Sequence, residues 1–319
     1  MKAWIINEFG DISKLKVANL EERPLNKGEI RVKIAFAGVN PVDWKIREGY
    51  LSGMFKHHFP LILGWDVAGV VSEVSSTSGQ FKVGDRVFAY IRKDEVGEGG
   101  YAESVAIRES FAALVPDTVD LSKAAGVPLV GLTAYQAITE AATAKAGESI
   151  LVINSTGGVG SFATQISKVL KLNVTSISSA KNEQYTRNLG TTHFVAREDK
   201  QILNKLKSIA PGGFDIVLDL WGGELQSSYF EVIKPKTGRF ISIVDTPNAT
   251  LAAQKEVKAG FHFVYPSQAH LTHLANWLKS NEVQLPPTQE IPASQAPRAM
   301  ELSQSGVVQG KLVLDISKF

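Results

Sequence analysis

The stretch ILVINSTGGVGSFATQISKVL, residues 150–170, decides the fold class of this chain. An apolar, strand-like run leads through a glycine-rich turn into a segment whose apolar residues recur every three or four positions. This order is typical of a parallel α/β sheet, where the start of a helix offers free N–H groups and a positive dipole end to a phosphate. Whether Gly157, Gly158 and Gly160 hold a phosphate-bearing cofactor is open, because Ser155 replaces the first glycine of a GxGxxG motif.

The glycine turn has two interpretations. In the functional one, the backbone from Ser155 to Val159 approaches a pyrophosphate, and Gly160 lets the helix pack close to the sheet. In the structural one, the glycines only form a tight turn. Since Ser155 removes some backbone freedom, the glycine pattern alone does not decide between the two interpretations.

The rest of the chain divides into two kinds of pattern. Up to about residue 120, β-like segments are separated by glycine-bearing turns, which predicts an all-β, barrel-like domain. From about residue 123, apolar runs alternate with helical patterns, which predicts a doubly wound α/β domain with a parallel sheet. The principal predicted strands are IRVKIAFAGV (30–39), VAGVVSEV (67–74), NVTSIS (173–178), FDIVLDL (214–220), RFISIV (239–244) and KLVLDI (311–316), and the principal predicted helices are ELQSSYFEVIK (224–234) and AHLTHLANWLKS (269–280). Residues 285–297 are predicted to be a proline-rich connection.

Charge and hydropathy argue against two classes of partner. The 319 residues include 34 basic and 32 acidic side chains in a mixed order, so nothing favours nucleic acid or an anionic membrane as a partner. Polar residues interrupt the N-terminal segment early, and no apolar run of about 18 residues follows. We therefore expect a cytoplasmic protein that binds no nucleic acid and no membrane.

The absence of cysteine excludes disulfides, a thiol nucleophile and thiolate metal sites. Among the six histidines, only His270 and His273 have a spacing suited to a metal, and no acidic pattern supports them. Surface or core positions are the alternative for both residues. We expect no metal.

The end of the second α/β strand, NVTSIS (173–178), bears on the choice of cofactor. An NAD site places Asp or Glu about 20 residues beyond the glycines, whereas a 2'-phosphate requires that carboxylate to be absent and a cation to be near. Here the strand ends in Ser178 and Ser179, followed by Lys181, with no acid. Arg197 is a further candidate cation, with a solvated surface charge as its alternative. The sequence therefore favours NADPH.

Eight segments in order extend these observations over nearly the whole chain. They are GVNPVDWK (38–45), LGWDVAGVV (63–71), FKVGDRVFA (81–89), GGYAE (99–103), AGVPLVGLTAYQA (125–137), STGGVG (155–160), FDIVLDLWGG (214–223) and GKLVLDI (310–316). Together they resemble the medium-chain dehydrogenase/reductase superfamily, and within it the zinc-free quinone oxidoreductase and enone reductase branch. The resemblance implies a GroES-like β-barrel catalytic domain over residues 1–122, rejoined by 265–319, and a Rossmann cofactor domain over 123–264.

The resemblance also implies NADPH as the cofactor and often a homodimer. Pairing of sheet edges in such a dimer would require RFISIV (239–244) to be exposed. Zinc-dependent members use a cysteine and a GHE-type motif as metal ligands. The matching positions here are Asn40 and Gly64-Trp65-Asp66, so the ligand types that zinc needs are missing.

The chemistry that remains is hydride transfer from NADPH to a quinone or an α,β-unsaturated carbonyl, which needs positioning and stabilisation of negative charge. By resemblance, Asn40 lies beside the nicotinamide and ribose; a turn residue before Pro41 is the alternative. Lys45 stands where many quinone reductases carry a tyrosine, and a surface lysine is its alternative. Asp43 and Asp66 invite a general-acid interpretation, with a structural role as the alternative.

Other site residues are assigned by resemblance and by the carboxyl-end rule for α/β sheets. The further cofactor-binding candidates are Thr133, Ile243, Val244, Phe261 and Phe263, and the candidates for the substrate pocket are Tyr50, Phe55 and Trp65. Internal packing is the alternative for Thr133 and Tyr50.

Two other functions share part of this pattern. The first is a binding protein that keeps the cofactor fold for a structural or nucleic-acid-binding role with little turnover. The second is a methyltransferase, which also has a glycine-rich turn but does not explain the β domain of about 120 residues. A reductase with NADPH and a small-molecule acceptor is the leading hypothesis.

Overall fold

A computed structural model describes residues 1–75, 79–306 and 308–319. The chain forms two compact units. The first unit comprises Met1–Leu132, Tyr265–Asn281 and Pro287–Phe319, and the second comprises Thr133–Val264 and Glu282–Pro286.

The regular elements of both units are numbered in chain order. The strands are β1 Lys2–Ile6, β2 Lys16–Asn19, β3 Glu29–Val39, β4 Lys56–His57, β5 Leu61–Ile62, β6 Asp66–Val74, β7 Arg86–Tyr90, β8 Glu95–Val96, β9 Ser104–Arg108, β10 Ala112–Leu114, β11 Ser149–Ile153, β12 Asn173–Ser178, β13 His193–Ala196, β14 Ile216–Asp219, β15 Arg239–Ser242, β16 Lys258–Phe261, β17 Thr288–Pro292 and β18 Lys311–Asp315. The α-helices are α1 Pro41–Arg47, α2 Leu121–Ala124, α3 Pro128–Gln136, α4 Gly158–Val169, α5 Glu183–Asn188, α6 Ile202–Ile209, α7 Ala249–Gln254, α8 Gln268–Lys279 and α9 Ala296–Ser305.

The first unit is built on a mostly antiparallel sheet in the order β10-β7-β6-β3-β18-β17, with β9 also paired to β3. Strand β3 is the longest of its strands, and its buried valines and isoleucines pack into the core. The C-terminal strand β18 pairs antiparallel with the end of β3, where Leu312 faces Val39. This pairing brings Lys311, at the start of β18, beside the turn that follows β3.

The second unit contains a six-stranded parallel sheet in the order β13-β12-β11-β14-β15-β16. Its strands are short apolar runs covered by helices, and Phe230 stacks on Phe240 in the core on one face. The α/β fold class, with a GroES-like first unit and a Rossmann second unit, is confirmed. Because the strands are parallel, the carboxyl ends of β11, β12, β14 and β15 lie along one edge of the sheet.

The structure shows whether RFISIV (239–244) is exposed as edge pairing would require. Its first four residues form β15, which pairs with β14 on one side and with β16 on the other. It is therefore an interior strand, and the outer strand on that side of the described sheet is β16. The edge pairing expected for a homodimer cannot use RFISIV, because its backbone hydrogen bonds are already made within the sheet.

Two other segments differ from the predicted pattern. The segment 224–234 forms a 3₁₀ helix over Gln226–Glu231 in place of an α-helix. Its bonds close three residues apart, as from the Ser228 N–H to the Leu225 oxygen, and two serines lower the α-helical propensity. The proline-rich connection at 285–297 contains β17, whose parallel pairing with β18 places it at a sheet edge that tolerates proline.

Residues 123–132, which the sequence pattern groups with the α/β half, cluster with the first unit. Within that unit, the backbone N–H of Leu129 donates to the buried Asp66 carboxylate at 2.7 Å. Residues 282–286 cluster with the second unit, where the Gln284 N–H donates to the Gln165 side chain at 2.7 Å. Within the three described ranges, no helix is both long and apolar enough to cross a membrane.

Candidate active site

Asn40 follows strand β3 and is the N-cap of helix α1, with Pro41 in the first helical position. Its backbone N–H donates to the Asp43 carboxylate at 2.7 Å, so the helix start is fixed by a side chain one turn later. The Asn40 side chain is only 1% exposed. This local geometry turns the amide of Asn40 into the interior of the first unit.

The amide of Asn40 is held at both ends. Its Nδ2 donates to Asp66 Oδ2 at 2.9 Å, and its Oδ1 accepts a hydrogen bond from Lys311 Nζ. The same ammonium donates to the Val39 carbonyl at 3.1 Å and lies 4.0 Å from Asp66 Oδ2. Asn40, Asp43, Asp66, Tyr101 and Lys311 are hereafter called the Asn40 cluster. The cluster fixes the position and the orientation of the amide.

Burial shifts the ionisation of the cluster. Desolvation raises the pKa of Asp43 to about 7. Hydrogen bonds from the Asn40 N–H and from the Tyr101 hydroxyl, which donates at 2.9 Å, act in the opposite direction and lower this pKa. Desolvation also raises the pKa of Asp66 to about 6, and the Lys311 charge opposes that rise. Burial lowers the pKa of Lys311. At neutral pH the cluster therefore holds the Asp66 carboxylate near the buried Lys311 side chain, with Asp43 near its own midpoint.

The raised pKa of Asp43 predicts a pH dependence of stability. Folded Asp43 keeps its proton up to about pH 7, whereas the unfolded carboxyl loses it near the ordinary value of 3.8. Between these values the folded state binds more protons, so the free energy of unfolding falls as pH rises. We expect Asp43→Asn to remove this contribution, which is at most about 1.4 kcal/mol per pH unit.

Urea unfolding of the wild type and of Asp43→Asn at about pH 5 and about pH 8 measures this effect. The wild type should lose stability relative to the variant as the pH rises. Asp66 titrates in both proteins, so the difference between their profiles isolates Asp43. Parallel pH profiles of the two proteins would contradict a raised pKa at this position.

Lys45 and Tyr50 lie on and just beyond helix α1. The Lys45 Nζ is 5.7 Å from the centroid of the Trp44 ring, and the Tyr50 ring meets Trp44 edge-on at 6.1 Å. Tyr50 is 71% exposed. The Lys45 side chain makes no hydrogen bond or ion pair with any residue that the structure describes. Its ammonium is therefore not committed to another protein group.

Phe55 and Trp65 pack on each other edge-on at 6.1 Å, and Trp65 also meets Tyr90 at 6.1 Å. Phe55 is half-buried, with the Arg92 guanidinium 5.3 Å from its centroid. Trp65 is only 2% exposed, so contact between its ring and a substrate would require a neighbouring side chain to move. Of this predicted pair, Phe55 is the more accessible.

The glycine turn of the second unit joins β11 to α4. Ser155 is fully buried, and both its N–H and its hydroxyl donate to the Ile177 carbonyl of β12, at 3.1 and 3.4 Å. Gly157 is the N-cap of the helix, and a Cβ added there would meet nothing closer than the Asn154 amide at 3.4 Å. Ser155 thus ties the turn to the sheet, and the backbone at Gly157 remains open to a phosphate.

Gly158 and Val159 begin helix α4 and are half-buried, and Gly160 is buried. A Cβ on Gly160 would stand 2.2 Å from the Asn154 oxygen and 2.7 Å from backbone atoms of Ser155. Only glycine allows the helix to approach the end of β11 this closely. The free N–H groups of the first helical turn fit the pyrophosphate of a dinucleotide.

Predicted cofactor residues lie at the carboxyl end of β12 and in the segment after β13. Ser178 is buried, Ser179 is half-buried, and Lys181 is exposed on the loop that follows. The Arg197 guanidinium, which follows β13, lies 3.9 Å from the centroid of the Trp221 ring. Stacking on an aromatic ring restrains the direction of a guanidinium.

Glu198 also reaches this strand end, and the sequence pattern did not indicate it. Its Oε2 accepts from the Ala180 N–H at 3.1 Å. Its own backbone N–H and the Ser179 hydroxyl also donate to the carboxylate, and these bonds lower the pKa of Glu198. A carboxylate therefore occupies the end of β12, although β12 itself ends without an acid.

Asp219 joins the ends of β14 and β15. One carboxylate oxygen accepts from the N–H groups of Trp221 and Gly222 at 3.0 and 2.9 Å, and the other accepts from the Ser242 hydroxyl at 3.0 Å. The Val244 N–H in turn donates to Ser242 Oγ at 3.3 Å. This buried carboxylate fixes the loops along the edge where a cofactor binds in α/β sheets.

The remaining predicted cofactor residues occupy different environments within the second unit. Ile243 follows β15 and donates its N–H to the Asp219 carbonyl at 3.2 Å. Phe261 ends β16, with its ring 6.2 Å from that of Phe263. Thr133 is buried. The main chain near Ile243 lies at the expected sheet edge, and the structure gives Thr133 a covered position.

The chain is similar to known protein families and to a quinone oxidoreductase homolog. Residues 26–117 match the family described as alcohol dehydrogenase GroES-like domain, and residues 189–314 match the family described as zinc-binding dehydrogenase. The chloroplast envelope quinone oxidoreductase homolog of Arabidopsis thaliana is 32% identical over 298 residues, which cover 90% of this chain and 89% of that protein. This chain belongs to the medium-chain dehydrogenase/reductase superfamily. Its place is in the quinone oxidoreductase branch, as the eight segments predicted.

Two further members of the superfamily match over most of the chain. The NADPH-dependent alkenal/one oxidoreductase of Arabidopsis thaliana chloroplasts is 28% identical, covering 98% of this chain and 79% of that protein. The quinone oxidoreductase of Coxiella burnetii superposes with a TM-score of 0.86 at 26% identity, covering 99% of both chains. The chain is therefore an oxidoreductase, and its Rossmann unit supports a nicotinamide cofactor.

The zinc named in one family description does not fit the residues of this superfamily member. Where a zinc-dependent member has cysteine and GHE-type ligands, this chain has Asn40 and Asp66, both in contact with the buried Lys311 ammonium. A divalent cation beside that lysine would be repelled, the chain has no cysteine to supply a thiolate, and neither Asn40 nor Asp66 supplies an imidazole. The three described ranges also contain no group of three or more His, Cys, Asp or Glu side chains arranged for a metal.

Proposed function

We propose that this chain is an NADPH-dependent, metal-independent reductase of quinones or α,β-unsaturated carbonyl compounds. The observation that carries the proposal is the Asn40 cluster, in which a lysine ammonium and an amide replace the metal-ligand types of zinc-dependent relatives. Alcohol oxidation by that route needs a Lewis acid, whereas reduction of an electron-poor acceptor does not. The names of the two Arabidopsis relatives point to the same acceptor classes.

The first unit would orient the reactants. A bound nicotinamide cofactor supplies the hydride. One N–H of the Asn40 amide is used by Asp66, and the second would bond a ribose or carboxamide oxygen only after a neighbouring side chain moves, because Asn40 is buried. The uncommitted Lys45 ammonium can stabilise negative charge on the acceptor oxygen, as a preorganised cation does at developing oxyanions. Phe55 offers an apolar face to a flat acceptor.

The second unit would hold the dinucleotide. Its pyrophosphate is assigned to the turn at Gly157 and Gly158, and its 2'-phosphate to Ser179, Lys181 and Arg197. Two observations support NADPH: Lys181 is exposed without a partner in the described chain, and the Trp221 ring restrains the Arg197 guanidinium. The main chain at Ile243 is assigned to the nicotinamide.

The test is NADPH oxidation by the purified chain with a panel of quinones and enones. We expect turnover with at least one acceptor class, formation of the two-electron product, and no loss of rate after treatment with a chelator. The alternative is a dinucleotide-binding protein of the same fold with little turnover. Tight NADPH binding without turnover of any acceptor would establish that alternative and reject the reductase.

A further inference from the structure

Glu198 occupies hydrogen-bond donors that the proposed cofactor site needs. Its carboxylate accepts from the Ala180 N–H at 3.1 Å and from the Ser179 hydroxyl. Both donors lie at the carboxyl end of β12, where the ribose of a dinucleotide is recognised in Rossmann units. The side chain is exposed, so it is free to leave these donors when another group takes them.

A carboxylate in this position acts in opposite ways on the two nicotinamide cofactors. A 2'-hydroxyl can donate to it, as ribose hydroxyls do to the acid of an NAD site. A 2'-phosphate carries negative charge and competes for the same donors, so it binds only after the Glu198 side chain has moved. Lys181 and Arg197 favour the phosphate, and Glu198 opposes it.

We propose that Glu198 sets the cofactor preference of this chain by competing with the 2'-phosphate of NADPH for Ser179 and Ala180. The inference rests on the proposed function, because it requires the second unit to bind a nicotinamide dinucleotide. Lys181 and Arg197, which the Trp221 ring restrains, attract the 2'-phosphate of NADPH. The Glu198 carboxylate reduces the preference for NADPH over NADH that these two cations give. The wild type then binds NADPH and NADH with more similar affinities than its two cations alone would give.

The experiment compares four proteins by calorimetric titration with NADPH and with NADH. They are the wild type, Glu198→Gln, Glu198→Ala and, as a matched control, Glu231→Gln, which removes one exposed carboxylate paired with Lys207 at 2.6 Å. Glutamine keeps the shape of the side chain and removes its charge. We expect Glu198→Gln and Glu198→Ala to tighten NADPH binding by about tenfold, with NADH unchanged or weaker.

The opposite variant, Lys181→Ala, should weaken NADPH and leave NADH nearly unchanged. Glu231→Gln should leave the ratio of the two affinities at the wild-type value, since its carboxylate lies outside the site. An unchanged ratio in both Glu198 variants, with dinucleotides still bound, would overturn the competition and leave the reductase proposal intact. Failure of the wild type and all variants to bind either dinucleotide would overturn both proposals.

Discussion

Replacement of Lys311 by methionine is expected to lower the free energy of unfolding by about 3–5 kcal/mol. The Lys311 ammonium is buried, donates to Asn40 and Val39, and lies 4.0 Å from the Asp66 carboxylate. Methionine keeps most of the apolar stem but leaves the Asn40 oxygen without its donor and the Asp66 carboxylate without its cation, with only the hydrogen bonds from Asn40 Nδ2 and the Leu129 N–H. Breaking one side of a buried ion pair costs more than the pair itself contributes, because the remaining charge stays desolvated.

Denaturant unfolding followed by tryptophan fluorescence measures this loss, since Trp4 and Trp65 are both buried in the first unit. Lys123→Met is the matched control: Lys123 is exposed, lies 4.0 Å from Asp120, and its loss should change stability by less than about 1 kcal/mol. The double variant Lys311→Met with Asp66→Asn should be more stable than the sum of the two single effects. Equal effects of Lys311→Met and Lys123→Met would rule out a stabilising buried pair.

The fold was predictable where local pattern and burial agree. NVTSIS forms β12 with the predicted bounds, because the β-branched side chains of Val174, Thr175 and Ile177 favour an extended backbone in a covered strand. The prediction was wrong for 224–234, where periodicity suggested an α-helix and the chain forms a 3₁₀ helix after two glycines. It also missed β17, because strand pairing with β18 overrides the proline content.

The candidate site was predictable only in part, for a different reason. Asn40 and Asp66 lie in GVNPVDWK (38–45) and LGWDVAGVV (63–71), two short segments that resemble the superfamily. Lys311 is 271 residues from Asn40 along the chain, and only the pairing of β18 with β3 brings their side chains together. No spacing rule within one segment reports such a contact.

The sequence did not indicate Glu198, because the acidic residue that distinguishes NAD from NADP sites is expected at the end of β12 itself. The carboxylate that accepts from the Ala180 N–H belongs to Glu198, two positions after β13, the neighbouring strand in the sheet. Adjacent parallel strands end at the same edge, so the search for an acid must include the strand beside the one that carries the serines. The absence of an acid from β12 alone is therefore weak support for NADPH.

Replacement of Gly160 by alanine should disrupt the dinucleotide site directly. The added Cβ would stand 2.2 Å from the Asn154 oxygen and 2.7 Å from two backbone atoms of Ser155, and none of these can move as a side chain does. The start of α4 must therefore shift away from the end of β11. We expect a loss of about 1–3 kcal/mol in stability and of at least about tenfold in dinucleotide affinity, measured by thermal unfolding and by calorimetry.

Gly157→Ala separates the loss of packing from the loss of phosphate contact. Gly157 has φ −68, which any residue adopts, and its added Cβ would meet only the Asn154 amide at 3.4 Å. This variant should keep its thermal stability within about 1 kcal/mol of the wild type and lose affinity only if a phosphate lies against the turn. Weaker dinucleotide binding in both variants, with stability lost only in Gly160→Ala, would place the phosphate at this turn. A Gly157→Ala protein that binds both cofactors with wild-type affinity would leave the glycines with a structural role alone, because the added Cβ at this open position would then meet no ligand.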